Sequence, residues 1–204
     1  MPKTTKAVSE SFRHYCQTLS ELLLSVQVID YHQAVLAFDE AASQVVDMIL
    51  SAKAASRKVM IIGNGGSASI ASHIQSDLCK AVGVRAMVFN EIPLLTAFSN
   101  DHGYGCVFER PVDLWAESGD LLLAISSSGQ SENILRAARS AEARRCQVVT
   151  FSGFRVDNPL RRMGRLNFYV PSQSYGFVEL VHSVLMHFLA DVALASQITQ
   201  GGLS

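Results

Sequence analysis

Two stretches rich in glycine and serine have the composition of anion-binding loops. The first, residues 63–69, reads Gly-Asn-Gly-Gly-Ser-Ala-Ser and precedes a segment of helical periodicity. Its glycines let the backbone turn tightly and approach a ligand closely, while Ser67 or Ser69 can cap the helix, whose free N–H groups attract an anion. The pattern is neither GxGxxG nor GxxxxGK[ST], so it does not favour a dinucleotide site or a nucleotide P-loop. Taken alone, this loop also fits a purely structural turn.

The second stretch, residues 126–131, reads Ser-Ser-Ser-Gly-Gln-Ser and also opens a predicted helix. Four hydroxyls at a helix N-terminus can offer several neutral hydrogen-bond donors to one phosphate group. Neutral donors suit an enzyme that must release its product, whereas a cluster of arginines holds a phosphate tightly. The alternative is a serine-rich cap on an ordinary helix. Two such loops on separate strand ends favour a shared phosphate site.

Histidine and carboxylate side chains recur at helical spacing in two further segments. His73 and Asp77 lie four residues apart, so both project from one face of a helix. Glu179 and His187 lie eight residues apart, a little over two turns, and also share a face. Two imidazoles and two carboxylates can form a four-ligand site for zinc or a similar divalent ion. The alternative is that these side chains pack or face solvent, which is commoner for a histidine on a helix.

Five short strands must position these residues. They are residues 59–62, 86–89, 121–125, 148–151 and 166–170. The first four are continuous apolar runs, as expected of buried parallel strands. The alternation of the fifth predicts an edge strand with one face less buried. Both loops directly follow a strand, at the edge where open α/β sheets bind their ligands.

Segments of helical periodicity separate the strands. They are residues 69–82, 92–98, 108–116, 131–143 and 177–195. Alternating strands and helices imply right-handed crossovers and a parallel sheet covered on both faces. We therefore predict an α/β fold, a three-layer αβα sandwich around a five-stranded parallel sheet, as a single domain over residues 1–204.

The first 56 residues predict a pair of helices ahead of the first strand. Apolar residues recur at three- and four-residue spacing from Phe12 to Leu23 and again from Val35 to Leu50. One small sheet cannot bury two such helices completely, so we expect part of their apolar surface to contact another subunit. Residues 1–56 are accordingly predicted to be a helical oligomerisation extension.

Composition and charge narrow the classes of partner. A net charge of −1 without a long basic run argues against nucleic acid as an electrostatic partner. No run of about 18 apolar residues appears, so we expect no membrane span. Four scattered cysteines without a CxxC pair, and an N-terminus without the apolar stretch of a signal peptide, predict a cytoplasmic protein with free thiols.

The serine loop resembles the phosphate loop S-T-S-G-x-S of the sugar isomerase (SIS) domain family, with Ser127 in place of the threonine. Residues 63–68, 100–104 and 181–187 are similar to motifs of the bacterial phosphoheptose isomerases within that family, and the resemblance covers nearly the whole chain. It implies a homotetramer with active sites at subunit contacts. It also implies conversion of sedoheptulose 7-phosphate into a heptose 7-phosphate, the entry to heptose in bacterial surface polysaccharides.

The resemblance further implies which residues form the site. Substrate contacts would come from Asn64, Gly65, Ser67, Asp101, Ser126, Ser127, Ser128 and Ser131. Phosphoheptose isomerases bind zinc through His, Glu, Gln and His, and the matching residues here are His73, Asp77, Glu179 and His187. The carboxylate on the first of these helices is thus shorter, and the amide on the last helix has become a carboxylate.

The chemistry implied is a proton transfer between neighbouring carbons through an enediol, so one group must take the proton and another must return it. We assign these roles to a carboxylate, Asp77 or Glu179, and to His187. A bound divalent ion would polarise the carbonyl and stabilise the enediolate oxygen. Because the Asp77 side chain is one methylene shorter than that of glutamate, Glu179 remains the alternative candidate for the base.

Three other interpretations remain at this point. Residues 175–178 read Tyr-Gly-Phe-Val where the family has a polar residue and an arginine, which leaves open an isomerase for another sugar or a sugar-phosphate sensor. A non-catalytic SIS protein that serves as a regulator or assembly factor, like the relatives that bind the replication initiator, is the third. The four side chains able to bind metal favour catalysis. His182 matches a family histidine, and we expect it to pack in the core.

Overall fold

The structure, a computed structural model, describes residues 11–201. Its helices are α1 (Phe12–Leu24), α2 (Phe38–Ala54), α3 (Gly66–Asp77), α4 (Ile92–His102), α5 (Glu109–Trp115), α6 (Glu132–Ala143) and α7 (Tyr175–Gly201). Its strands are β1 (Gln27–Asp30), β2 (Val35–Leu36), β3 (Lys58–Gly63), β4 (Arg85–Val88), β5 (Leu121–Ser126), β6 (Gln147–Ser152) and β7 (Leu166–Tyr169). A π-helical turn, Leu78–Val82, extends α3.

The strands form one sheet in the order β2-β1-β7-β6-β5-β3-β4. Neighbours among β3 to β7 are parallel, whereas β1 runs antiparallel to both β2 and β7. Every residue of β3 and β5 is buried. Helices on both faces of a parallel sheet leave such strands no solvent-facing side, which explains their continuous apolar sequence.

Two hydrophobic cores lie on opposite faces of the sheet. Val59 and Ile61 of β3 belong to the core that includes residues of α2, α3 and α7. Met60 and Ile62 point the other way, into the core that includes residues of α5 and α6. This alternation is the two-residue period of a strand, and it gives the three-layer αβα arrangement. The predicted α/β class is confirmed.

The prediction of five strands is wrong, because a hairpin adds two more. In the turn of this hairpin the Asp30 carboxylate accepts a hydrogen bond from the Ala34 N–H at 2.8 Å, and Gln33 adopts a φ of +65°. Val28 and Ile29 are buried on the sheet. The apolar spacing from Val35 onward was interpreted as helical, but the second helix begins only at Phe38.

The hairpin also corrects two related expectations. The helices α1 and α2 both exist, but the hairpin lies between them, so they do not form a helical pair ahead of the sheet. In addition, β7 was predicted to be an edge strand, yet all four of its residues are buried. It lies inside the sheet because β1 pairs with its free side.

The N-terminal helix α1 contacts the rest of the protein along α7. The rings of Tyr15 and Phe177 stack with centroids 4.5 Å apart. No residue of α1 is buried, and Phe12 and Leu24 are 81% and 87% exposed. The expected contact with another subunit stays a prediction, and residues 1–10 of the proposed extension lie outside the described residues.

The last helix is long and apolar enough to cross a membrane by length and composition alone. Its most apolar 18-residue stretch within Tyr175–Ile198 has a mean hydropathy of 1.6, and 44% of that stretch is buried in the fold. The helix is not a continuous apolar run, because Glu179, His182, His187 and Asp191 interrupt it, and the expectation of no membrane span stays a prediction. Val178, Val181 and Leu185 of α7 belong to the core on one face of the sheet, and a core helix of this kind passes the same test.

The strand order places a topological switch point at β3. This strand has β4 on one side and β5 on the other, so the chain leaves β3 in one direction and later crosses to its opposite side. Open α/β sheets bind ligands beyond the carboxyl ends of strands at such a point. The two glycine- and serine-rich loops follow β3 and β5, the pair of strands that border it.

Candidate functional site

The loop after β3 has a backbone that only glycine can form at two positions. A Cβ at Gly63 would lie 2.6–2.7 Å from backbone and side-chain atoms of Ser67, because the loop folds back on the strand end. Gly65 has a φ of +53° with a ψ of −122°, which lies outside the left-handed helical region that some other residues adopt. The Ser67 N–H donates to the Asn64 carbonyl at 3.0 Å, which closes the turn into α3.

The loop after β5 closes in a similar way around Gly129. Its φ is +63°, and its N–H donates to the Ser126 carbonyl at 3.0 Å. The hydroxyl of Ser126 donates to that of Ser131 at 3.3 Å. Ser131 is the N-cap of α6, but its side chain makes no capping hydrogen bond, so its hydroxyl lies on the inner side of the loop.

The two loops share a cavity of about 230 Å³, the two-loop hollow. Its lining residues are Asn64, Gly65, Gly66, Ser67, Ser126, Ser127, Ser128, Ser131, Tyr175 and Glu179. Seven of the eight residues predicted for substrate contact are in this set. Among the described residues the buried Ser127 hydroxyl has no hydrogen-bond partner, so the wall of the hollow contains a polar group that is not satisfied by the protein.

A network of side chains fixes the two loops to each other. The amides of Asn64 and Asn133 exchange two hydrogen bonds of 2.9 Å, although 69 residues separate them. The Tyr104 hydroxyl donates to the same Asn64 oxygen at 2.9 Å. Neither Asn133 nor Tyr104 is among the residues predicted for the site. Their positions at a loop end and in the motif of residues 100–104 were the available signals.

The eighth predicted substrate residue, Asp101, does not line the hollow. It lies exposed at the end of α4, where its carboxylate accepts a hydrogen bond from Asn100 at 2.8 Å. The structure of one chain therefore brings together the two loops but not this carboxylate, and the role of Asp101 stays a prediction.

Glu179 reaches the hollow from α7. A Cβ added to Gly66 would lie 2.4–2.6 Å from its carboxylate atoms, so the carboxylate lies directly against the first residue of α3. The free N–H groups of a helix N-terminus stabilise a negative charge at that position. A side chain at position 66 would therefore make the flexible Glu179 side chain move away from its present position.

His73, Asp77 and His187 form a second group of functional side chains, the His-Asp-His cluster. The Asp77 Oδ2 atom lies 3.5 Å from His73 Nε2 and 3.4 Å from His187 Nδ1. The two imidazole rings meet edge to face with centroids 4.9 Å apart. All three side chains are at least one-third exposed, so solvent and ligands can reach them.

The His-Asp-His cluster fits a divalent ion. One ligand atom from each residue lies within 4.8 Å of the other two. Tetrahedral zinc with bonds of 2.0–2.1 Å places its ligand atoms about 3.3 Å apart, close to the two separations from Asp77. Glu179 is not part of this group. It lies eight residues before His187, about 12 Å along α7 at 1.5 Å per residue, and points at Gly66 instead.

His182, between these two sites along α7, is 0% exposed. Burial lowers its pKa to about 4, although a hydrogen bond to the Ser152 carbonyl raises it slightly. Its Nε2 atom lies 3.3 Å from that carbonyl oxygen, and its ring meets Phe151 edge-on. These contacts are those of a neutral core histidine, in line with the expected packing role.

Known proteins are similar to this chain in sequence and in fold. The model of the SIS domain matches residues 27–153, more than half of the chain. The phosphoheptose isomerase of Helicobacter hepaticus is 30% identical over 166 residues, which cover 78% of this chain and 84% of that protein. The enzyme of the same name from Aquifex aeolicus is 33% identical over 167 residues, 77% of this chain and 87% of that protein.

Two solved structures are similar over most of the chain. A phosphoheptose isomerase from Francisella tularensis aligns with a TM-score of 0.77 at 25% identity and covers 89% of this chain and 95% of that one. The enzyme from Neisseria gonorrhoeae aligns with a TM-score of 0.71 at 28% identity, covering 76% and 86%. The chain therefore belongs to the SIS domain family, and within it to the phosphoheptose isomerases.

Proposed function

We propose that this chain is an aldose–ketose isomerase that converts sedoheptulose 7-phosphate into a heptose 7-phosphate. The observation that supports this most is the two-loop hollow, in which seven predicted contact residues meet at the switch point of the sheet. The relatives named phosphoheptose isomerase support the same substrate.

In this proposal the phosphate ester occupies the two-loop hollow. Hydroxyls of Ser67, Ser126, Ser128 and Ser131 and the first N–H groups of α3 and α6 are available there as donors. None of these groups carries a full charge, which suits a substrate that binds and a product that leaves. The charge of Glu179 at the same hollow favours a binding mode in which this carboxylate contacts sugar hydroxyls rather than the phosphate.

The proposed proton transfer takes place at the other end of the substrate. In a heptulose 7-phosphate the carbonyl carbon and the phosphate are at opposite ends of a chain on the order of 9–10 Å long, with C–C bonds of about 1.5 Å. The His-Asp-His cluster lies about 12 Å from Glu179 along α7, a comparable distance. This spacing favours Asp77 over Glu179 as the base that takes the proton from C1, with His187 returning a proton at C2.

A divalent metal ion, most simply zinc, is part of the proposal. His73, Asp77 and His187 would hold it. Glu179 was predicted as the fourth ligand, but within one chain it lies about 12 Å away along α7, against Gly66. Such an ion supplies Lewis-acid polarisation of a carbonyl and stabilises an enediolate oxygen. The Asp77 carboxylate has a second oxygen, so one oxygen can face the ion while the other remains available to a proton.

The assembly and the compartment are also proposals. Exposed apolar residues on α1 and α7, among them Phe12, Leu180 and Phe188, support a homotetramer in which these helices are covered. The free cysteines Cys16, Cys79, Cys106 and Cys146 support a reducing, cytoplasmic compartment. The solution mass of the purified protein tests the first of these proposals.

The activity is tested with a panel of ketose phosphates incubated with the protein purified with and without added zinc. Aldose products are followed by NMR, and bound metal is measured in the same samples. We expect turnover of sedoheptulose 7-phosphate that rises with zinc content. Binding of the ketose phosphates without any turnover would instead support the non-catalytic regulator.

A further inference from the structure

Phe154 adopts a backbone conformation that aromatic residues rarely adopt. Its φ is +59°, in the left-handed region where a side chain crowds the backbone. Both of its backbone polar groups are held in this conformation. Its N–H donates to the Ser172 carbonyl at 2.9 Å, and its own carbonyl accepts from the Tyr169 hydroxyl at 2.8 Å. Glycine or asparagine would adopt the same conformation more easily, so the ring must have a use that offsets the strain.

The ring of Phe154 packs against a residue of the two-loop hollow. It meets Tyr175 edge to face, with centroids 4.6 Å apart and an angle of 77° between the rings. Tyr175 is the first residue of α7 and lines the hollow together with Glu179, one helical turn further on. Within residues 11–201 the structure records no hydrogen bond of the Tyr175 hydroxyl, and Tyr175 is 61% exposed. The Phe154 ring is therefore a contact that can restrict the Tyr175 ring, without competition from a hydrogen bond of its hydroxyl among these residues.

We infer that Phe154 is a positioning residue for sugar-phosphate binding, which acts by holding the Tyr175 ring in the wall of the two-loop hollow. Tyr175 then contacts the sugar next to its phosphate, beside Glu179, and helps to select the sugar. This inference rests on the proposed function, because it takes the hollow to be the phosphosugar site. Neither ring contacts Asp77 or His187, so the effect is on binding rather than on proton transfer.

The test is a double-mutant cycle with Phe154→Gly and Tyr175→Ala, measured by direct titration with sedoheptulose 7-phosphate. Phe154→Gly removes the ring and relieves the strained φ. We expect Kd and KM to rise about two- to tenfold, the worth of one aromatic pair, with kcat within about twofold of the original. In the Tyr175→Ala background Phe154→Gly should have no further effect, because the contact it removes is already absent.

Two further variants separate positioning from general packing. Phe154→Tyr retains the ring edge and should retain the original Kd. Arg145→Gly is the matched control, since Arg145 also has a positive φ, +61°, in the turn between α6 and β6 away from the hollow. It should change neither Kd nor KM. Thermal unfolding of each variant verifies the fold.

The outcomes are distinct. An unchanged Kd for Phe154→Gly, or an equal loss in both backgrounds, would overturn the inference that Phe154 acts through Tyr175. Binding without turnover by the original protein counts against the isomerase proposal alone, because Kd still measures the pair. If the original protein bound neither sedoheptulose 7-phosphate nor inorganic phosphate, both the isomerase proposal and the inference about Phe154 would be wrong.

Discussion

The two-loop hollow and the His-Asp-His cluster both lie where α3 packs beside α7, but they are built differently. The hollow is formed by backbone turns at strand ends, with Gly63, Gly65 and Gly129 in conformations or contacts that exclude a side chain. The cluster consists of three partly exposed side chains on α3 and α7, with Asp77 at the end of α3 where its π-helical turn begins. Substitutions that impair phosphate binding in the hollow should therefore also lower the stability of the fold. Substitutions in the cluster should lower the reaction rate without lowering stability.

The largest effect expected from this difference is a loss of activity without a loss of stability. Asp77→Asn should lower kcat by 100- to 10,000-fold, the usual contribution of a positioned base, while the unfolding midpoint stays the same. Glu179→Gln should lower it much less. Asp39→Asn, an exposed carboxylate in the first turn of α2, is the control. Full activity of Asp77→Asn would exclude Asp77 as the base, and full activity of both site variants would exclude the scheme.

The next largest effect expected is a dependence of the stability of the fold on pH, through His182 in the core. The pKa of the buried His182 is lowered from 6.5 to about 4 by burial. Below pH 6.5 the unfolded chain binds a proton at His182 and the folded chain does not. The free energy of unfolding therefore has its highest value above that pH. It should fall by about 3 kcal/mol as the pH decreases from about 6.5 to about 4.

Urea unfolding measured across this pH range tests the prediction for His182. His182→Gln retains a side-chain N–H for the Ser152 carbonyl but has no group that titrates. Its unfolding free energy should depend less on pH. An equal slope in the two proteins would show that His182 is not the group responsible.

A smaller but still large effect is expected from Gly129→Ala. The added Cβ would lie 1.9 Å from Asn158 Oδ1, and Asn158 is buried and held by hydrogen bonds to Gly153, Arg155 and Arg161. Together with the positive φ, this should cost about 2–3 kcal/mol of unfolding free energy and abolish binding of inorganic phosphate in calorimetry. Gly119→Ala, with a φ of +91° but neighbours no closer than 3.7 Å, should cost less and leave binding unchanged.

The smallest effect concerns the link between the two loops. Asn133→Leu removes both hydrogen bonds to Asn64 and should cost about 1–2 kcal/mol of unfolding free energy, since a polar group near the hollow loses its partner. It should also weaken binding of inorganic phosphate several-fold. Asn133→Asp still accepts a hydrogen bond from Asn64. Its unfolding free energy should lie between those of the original protein and Asn133→Leu. Unchanged phosphate binding in Asn133→Leu would show that the loops keep their arrangement without this pair.

The parts of the fold predicted from sequence are those with a strong local signal. Continuous apolar runs indicated four of the five parallel strands, because strands covered on both faces have no polar side, and a weaker, alternating run indicated the fifth. The hairpin of β1 and β2 was missed since its strands have only four and two residues and lie between two helical patterns. Its pairing with β7, more than 130 residues later, has no local signal.

The candidate site shows the same limit. Glycines and serines directly after strands indicated both loops, and the four-residue spacing of His73 and Asp77 indicated a shared helix face. The split between Glu179 and the His-Asp-His cluster depends on how far α7 is shifted along α3, which no spacing within one helix reveals. The pairing of Asn64 with Asn133 likewise depends on the order of the strands.

The short outer strand contributed by the hairpin has a consequence for solubility. A long, flat border strand offers unpaired backbone groups to other chains and invites aggregation. On one side of this sheet the outermost strand, β2, has only two residues. On the other side, β4 has four, and its first residue is the exposed, charged Arg85. Neither border strand offers a second molecule many unpaired backbone groups. We therefore expect less aggregation through strand pairing than for a sheet that ended in β7.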